Sequence, residues 1–178
     1  MGLRRYDEAL KRSAEALRLV EASGARGVLP EVLVNHALAL DGAGKTAEAR
    51  DAAKRARDEA ERQGQEEILG IALRVYGLLK LKRGEDAIAS LSESVARLAG
   101  AGKTVDEARS RAALAAAIER SGDLAGATRE RERAARLLKG VGLDSQAEAM
   151  FRAPRRLMAL AMAPAVESAE PARLENLF

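Results

Sequence analysis

Residues 46–63 read TAEARDAAKRARDEAERQ. Ala49, Ala53, Ala56 and Ala60 recur at helical spacing, with Ala52 beside them, so they form one stripe of an α-helix. Arginine, lysine, aspartate and glutamate cover the remainder. A stripe of methyl groups lets another backbone come close, so this segment is expected to lie flush on a neighbouring helix. The pair Ala49/Ala56 has counterparts in Ala9/Ala16, Ala89/Ala96 and Ala127/Ala134, at successive steps of 40, 40 and 38 residues. A constant stride of that length marks a repeat array, in which each unit buries its apolar face only against its neighbours. A larger side chain at Ala49 or Ala89 is expected to overpack such a contact, by about 1–3 kcal/mol.

Glycines keep the same stride. Gly44, Gly84 and Gly122 each stand five residues before the first alanine of a pair, and Gly24, Gly64, Gly102 and Gly142 fall between units. Glycine there supplies the left-handed conformation that ends a helix. Each unit therefore reads as a first helix A, a glycine turn and a second helix B. The A helices are expected at Pro30–Asp41, Gln65–Arg83 and Lys103–Ser121. The B helices are expected at Tyr6–Ala22, Thr46–Gln63, Glu85–Ala99 and Asp123–Lys139. Pro30 suits a first helical turn. Thr104 with Glu107, and Ser145 with Glu148, have the spacing of capping boxes. No alternating run of β-branched residues signals a strand.

Composition narrows the chemistry. In 178 residues, 47% are hydrophobic but only 2% aromatic, so the interior is built from alanine, leucine, valine and isoleucine. The absence of cysteine excludes disulfides, thiolate chemistry and cysteine-bound zinc. A net charge of +3, spread along the chain, is too weak to argue a nucleic-acid partner by itself. No uncharged run is long enough to span a bilayer, and the chain is expected to be cytoplasmic.

The small residue of helix A (Ala37, Gly77, Ala115), the turn glycine (Gly44, Gly84, Gly122) and the alanine pair of helix B together resemble the tetratricopeptide repeat. The resemblance covers roughly residues 4–140. It departs in unit length, 38–40 residues against about 34, and in lacking the proline that closes each unit. It implies an all-α fold, a right-handed superhelical solenoid of antiparallel helix hairpins. On this reading residues 4–22 are a half repeat, and 28–63, 65–100 and 103–140 are complete units. A capping helix or helices over 143–162, kinked at Pro154, follow, then a flexible tail over 163–178 in which Leu174, Leu177 and Phe178 could dock. A helix B without its helix A at residues 4–22 is expected if the chain is cut from a longer protein. Units of this length are similar to those of bacterial signalling regulators, such as the sensor domains of maltose-activator-type transcription factors and proteins with nucleotide-binding switches.

Motifs of chemistry are weak beside this pattern. Ala39–Thr46, ALDGAGKT, satisfies a permissive phosphate-loop pattern, but a helical face precedes it and GAGKT recurs at Gly100–Thr104. Two copies read as a favoured turn, so no nucleotide or other cofactor is expected. His36 is the only histidine and falls in register with Tyr76 and Leu114, a packing position. The acids lie beside arginines, as in Arg129–Arg136, with no apolar pocket to shift a pKa, and no enzyme is expected. The basic edge over residues 124–156 lacks aromatic stacking platforms, so it reads as a solvated face and not as a nucleic-acid site. The apolar side of Arg155–Met162 is explained by capping without lipid, and no membrane partner is expected.

The resemblance places a concave groove along the A helices. Its candidate lining is Glu31, Val34, Asn35, Leu38 and Asp41 in the first complete unit; Ile71, Arg74, Val75, Leu78 and Lys82 in the second; and Arg109, Ala112, Ala116, Glu119 and Arg120 in the third. Chaperone-binding relatives grip a C-terminal carboxylate with lysines, arginines and asparagines. Here the matching places hold Val34, Leu38, Ile71 and Val75, and only Asn35 and Arg109 fit, so that clamp is not expected. The expected function is a non-catalytic protein–protein interaction scaffold, with a peptide or helix as partner, from another protein, a second copy or another domain. The alternative is a ligand-responsive sensor or regulatory domain of a bacterial signalling or transcriptional regulator.

Overall fold

The computed structural model describes residues 2–149 and 151. These form α1 (Gly2–Ser23), a 3-10 turn (Arg26–Val28), α2 (Leu29–Gly42), α3 (Thr46–Arg62), α4 (Glu66–Lys82), α5 (Ile88–Gly100), α6 (Thr104–Arg120), α7 (Leu124–Gly140) and α8 (Asp144–Ala149). No strand occurs among the described residues. The expected kink at Pro154, the remainder of the cap and the tail lie outside them.

The connections explain why the helices stop where they do. After α2, the Gly44 N–H donates to the Asp41 carbonyl and the Lys45 N–H to the Leu40 carbonyl, while Gly44 takes φ +79°. This pair of bonds satisfies two carbonyls that the helix end would leave open, and it demands a positive φ at its pivot. The same two bonds recur around Gly64, Gly84, Gly102, Gly122 and Gly142. Lys45 and Lys103, which close two of these turns, also occupy the N-cap positions of α3 and α6 without a side-chain cap. Thr104 is therefore the first residue of α6, not its cap, and Glu107 bonds Arg111 instead; the expected capping box is absent there. Asp123 does cap α7, its side chain accepting from the Gly126 N–H at 2.7 Å.

Consecutive helices pack on one another, and α2 also meets α4 as α4 meets α6. The three A helices thus form one continuous layer. Core clusters respect this order: one joins α2, α3 and α4 and reaches Leu98 of α5, a second joins α4, α5 and α6, a third α6, α7 and α8. Ala49, Ala53, Ala56 and Ala60 of α3 are all fully buried, as are Ala127 and Ala134 of α7.

The third alanine pair departs from expectation. Ala89 and Ala96 are exposed, and the buried stripe begins at Ala87, just before α5, and continues through Leu91, Ser94 and Leu98 of the helix. Counted from the turn glycine, the stripe sits at +5, +9, +12 and +16 in α3 but at +3, +7, +10 and +14 in α5. Two residues are missing between Gly84 and this stripe, and Glu85–Ala87 stay outside the helix, where Asp86 accepts from the Ile88 N–H. The true counterparts are Ala49, Ala87 and Ala127, spaced by 38 and then 40. Hence Ala56→Leu should overpack the seam by about 1–3 kcal/mol, whereas Ala96→Leu should stay within about 0.5 kcal/mol of the parent in urea unfolding.

Helix α1 packs on α2 through Leu10, Leu17 and Val20, and Ser13 Oγ lies 3.0 Å from His36 Nδ1. Burial holds the His36 imidazole below its ordinary pKa, with the Glu48 charge opposing and Lys45 adding to the effect. Ala9 stays exposed and Ala16 half-buried, unlike their counterparts in α3 and α7.

Candidate functional site

The A-helix layer is built from α2, α4 and α6, so it carries all fifteen residues singled out as groove lining. The structure divides them. Glu31, Asn35, Lys82 and Arg120 are exposed, and Leu38, Asp41, Ala116 and Glu119 are half-buried. Val34, Ile71, Arg74, Val75, Leu78, Arg109 and Ala112 are buried. Val34, Ile71 and Val75 belong to the α2–α4 cluster, Leu78 packs with Leu91 and Ala113, and Ala112 shares a cluster with Ala147. Their faces meet neighbouring helices and leave no side chain for a surface ligand.

Ion pairs tie the layer at its edge. Lys82 of α4 pairs with Asp41 of α2, and Arg120 of α6 donates to the Leu81 carbonyl at 2.6 Å, satisfying the C-terminal turn of α4. Glu119 pairs with Arg131 of α7. Inside, Ser94 donates to the Gly70 carbonyl at 2.6 Å and lies 2.8 Å from the Ser110 hydroxyl, so both buried hydroxyls find partners.

The α4–α6 seam holds the densest buried charge. Arg74 and Arg109 are 1% and 3% exposed. Arg74 Nη1 donates to Asp106 Oδ1 at 2.9 Å and to the Asp106 carbonyl at 3.1 Å, while Arg109 Nη1 stands 3.6 Å from the same Oδ1. Burial draws the Arg74 pKa below the usual guanidinium range; Asp106 opposes this and the like charge of Arg109 adds to it. Asp106 escaped the sequence reading. Its signal was present, since it falls 38 residues after Ile68, a core-facing position, and three before Arg109.

A separate open cleft of about 480 Å³ lies between α6 and α7, with Glu107, Arg111, Arg133 and Arg136 among its walls. Its charges largely satisfy each other: Arg111 bonds Glu107 and Glu130, and Arg133 bonds Glu130. The basic run of α7 is thus partly neutralised by its own neighbours.

The turn at Gly42–Thr46 joins two helices, and its N–H groups at Ala43, Gly44 and Lys45 are engaged by helix carbonyls. Lys45 Nζ meets Glu48, and Lys103, in the second copy, meets Glu67 at 2.6 Å. A phosphate cradle presents the N–H groups of a loop that follows a strand, whereas this turn follows a helix and commits three of its N–H groups to helix carbonyls. Among the described residues no helix is long and apolar enough to cross a membrane, and no three His, Asp or Glu side chains are grouped to hold a metal. No known protein family matches the chain, and no curated protein matches it.

Proposed function

We propose that the chain is a non-catalytic, cytoplasmic scaffold of tetratricopeptide-like units, a right-handed solenoid of antiparallel hairpins that captures a peptide or helix along the A-helix layer. The observation that carries this reading is the direct packing of α2 on α4 and α4 on α6, which supplies an extended surface from local contacts. The surface left to a partner is the solvent-reaching part of that layer: Glu31, Asn35, Leu38 and Asp41 on α2, Lys82 on α4, and Ala116, Glu119 and Arg120 on α6. It alternates charge of both signs with apolar positions at Leu38 and Ala116, which suits an amphipathic segment.

The test uses peptides selected from a displayed random library against the full chain. Glu31→Arg with Asn35→Arg alters exposed positions and should leave helicity intact. Selected peptides should bind this variant at least about tenfold more weakly, a loss of roughly 1.4 kcal/mol. Unchanged affinity would move the docking surface away from the A-helix layer.

A further inference from the structure

The seam between α2 and α4 and the seam between α4 and α6 are the same contact one unit apart. Val34 and Ile71, both buried, and Ile68, partly buried, build the first. Their counterparts in the second, by steps of 40, 38 and 38 residues, are Arg74, Arg109 and Asp106. The fold does not need charge at these positions, since the preceding seam closes with aliphatic side chains.

Here it has placed two guanidinium groups against one carboxylate, leaving one positive charge unbalanced. Arg74 Nε and Arg109 Nε and Nη1 are buried donors with no hydrogen-bond partner. A buried unpaired charge is among the most unfavourable features an interior can hold, and buried arginine is ordinarily paired with an anion. We infer that the α4–α6 seam binds one small oxyanion, of the carboxylate or phosphate class, between Arg74 and Arg109. Such an ion supplies the missing negative charge and acceptor lone pairs for three donors. Asp106 sets the limit, because its own charge leaves room for a single further anion.

At 1% and 3% exposure, the arginines are reached only when the seam parts. Uptake is therefore coupled to relative motion of α4 and α6, and the bound ion would lock two units of the layer together. This goes beyond the scaffold reading and survives its failure, because the seam's charge count does not depend on what docks at the surface.

The experiment titrates the full chain with sodium phosphate and, separately, sodium acetate, against sodium chloride at matched ionic strength, reading thermal midpoint and isothermal heat. Saturable stabilisation beyond chloride is expected, since a ligand that binds only the folded state raises its stability as the site fills. A response confined to phosphate assigns a tetrahedral oxyanion, and one confined to acetate a planar carboxylate. Arg109→Met removes the surplus charge and leaves Arg74 paired with Asp106. It should melt at or above the parent in chloride and lose the saturable response. Asp106→Asn raises the unbalanced charge, so its midpoint should climb further than the parent's in the effective anion. Neither anion exceeding chloride in the parent, or an equal response from Arg109→Met, would overturn the proposal.

Discussion

Asp106→Ala should remove about 3–5 kcal/mol of stability, the effect of breaking a buried ion pair by deleting one partner. The Asp106 backbone carbonyl still accepts from Arg74, but the carboxylate that faces both arginines is gone. Two buried guanidinium groups would then stand in the seam with no counter-charge. The surface pair Arg12–Glu8 provides the control: its side chains are 80% and 63% exposed, so Glu8→Ala should change stability by no more than about 0.5 kcal/mol. Urea unfolding of the two variants, with the slope unchanged, measures both effects. A loss below about 1 kcal/mol for Asp106→Ala would mean that water reaches Arg74 and Arg109 in solution.

That contrast also explains what the sequence could disclose. The glycines were legible because a positive φ at a helix end is a backbone demand that few other residues meet, and Gly24, Gly44, Gly64, Gly84, Gly102, Gly122 and Gly142 all adopt it. Helix A and helix B followed from them, to within a residue or two except at the start of α1, four residues earlier than expected, and at α5. There the alanine pair misled, because alanine serves both a close seam and an exposed helix surface, and Ala89 and Ala96 are of the second kind. Leu91 and Leu98, at the true stripe, break the methyl-only pattern of α3. Seven of the fifteen groove candidates are buried for a related reason. An A helix is enclosed by helices on several sides, so its polar residues do not mark a solvent face as they do in α3. Arg74 and Arg109 therefore read as surface groups when they are the interior of a seam. Only the neighbouring helix reveals the difference.

The substitution of leucine for alanine in α5 has a matching change in α4, and the two predict a reversal of sign. A Cβ at Gly77 would stand 2.7 Å from Leu91 Cγ, and one at Gly70 would stand 2.6 Å from Leu98 Cγ. In the first complete unit the positions of Gly77 and Leu91 are taken by Ala37 and Ala53, both fully buried. Leu91→Ala alone should cost about 2–5 kcal/mol through the cavity it leaves. Gly77→Ala alone gains about 1 kcal/mol of helix propensity, but it drives a methyl group into the leucine branch point, an overpacking term of about 1–3 kcal/mol, so the net change is a loss. Made together, the two substitutions reproduce the alanine pairing of the α2–α3 contact. Gly77→Ala should then stabilise the Leu91→Ala protein, because the clash is gone and the propensity gain remains. A double-mutant cycle should give a coupling of about 0.5–3 kcal/mol that favours the double variant. Additive behaviour would show that α4 and α5 separate freely at this contact, and that the glycines of α4 are not there to admit the leucines of α5.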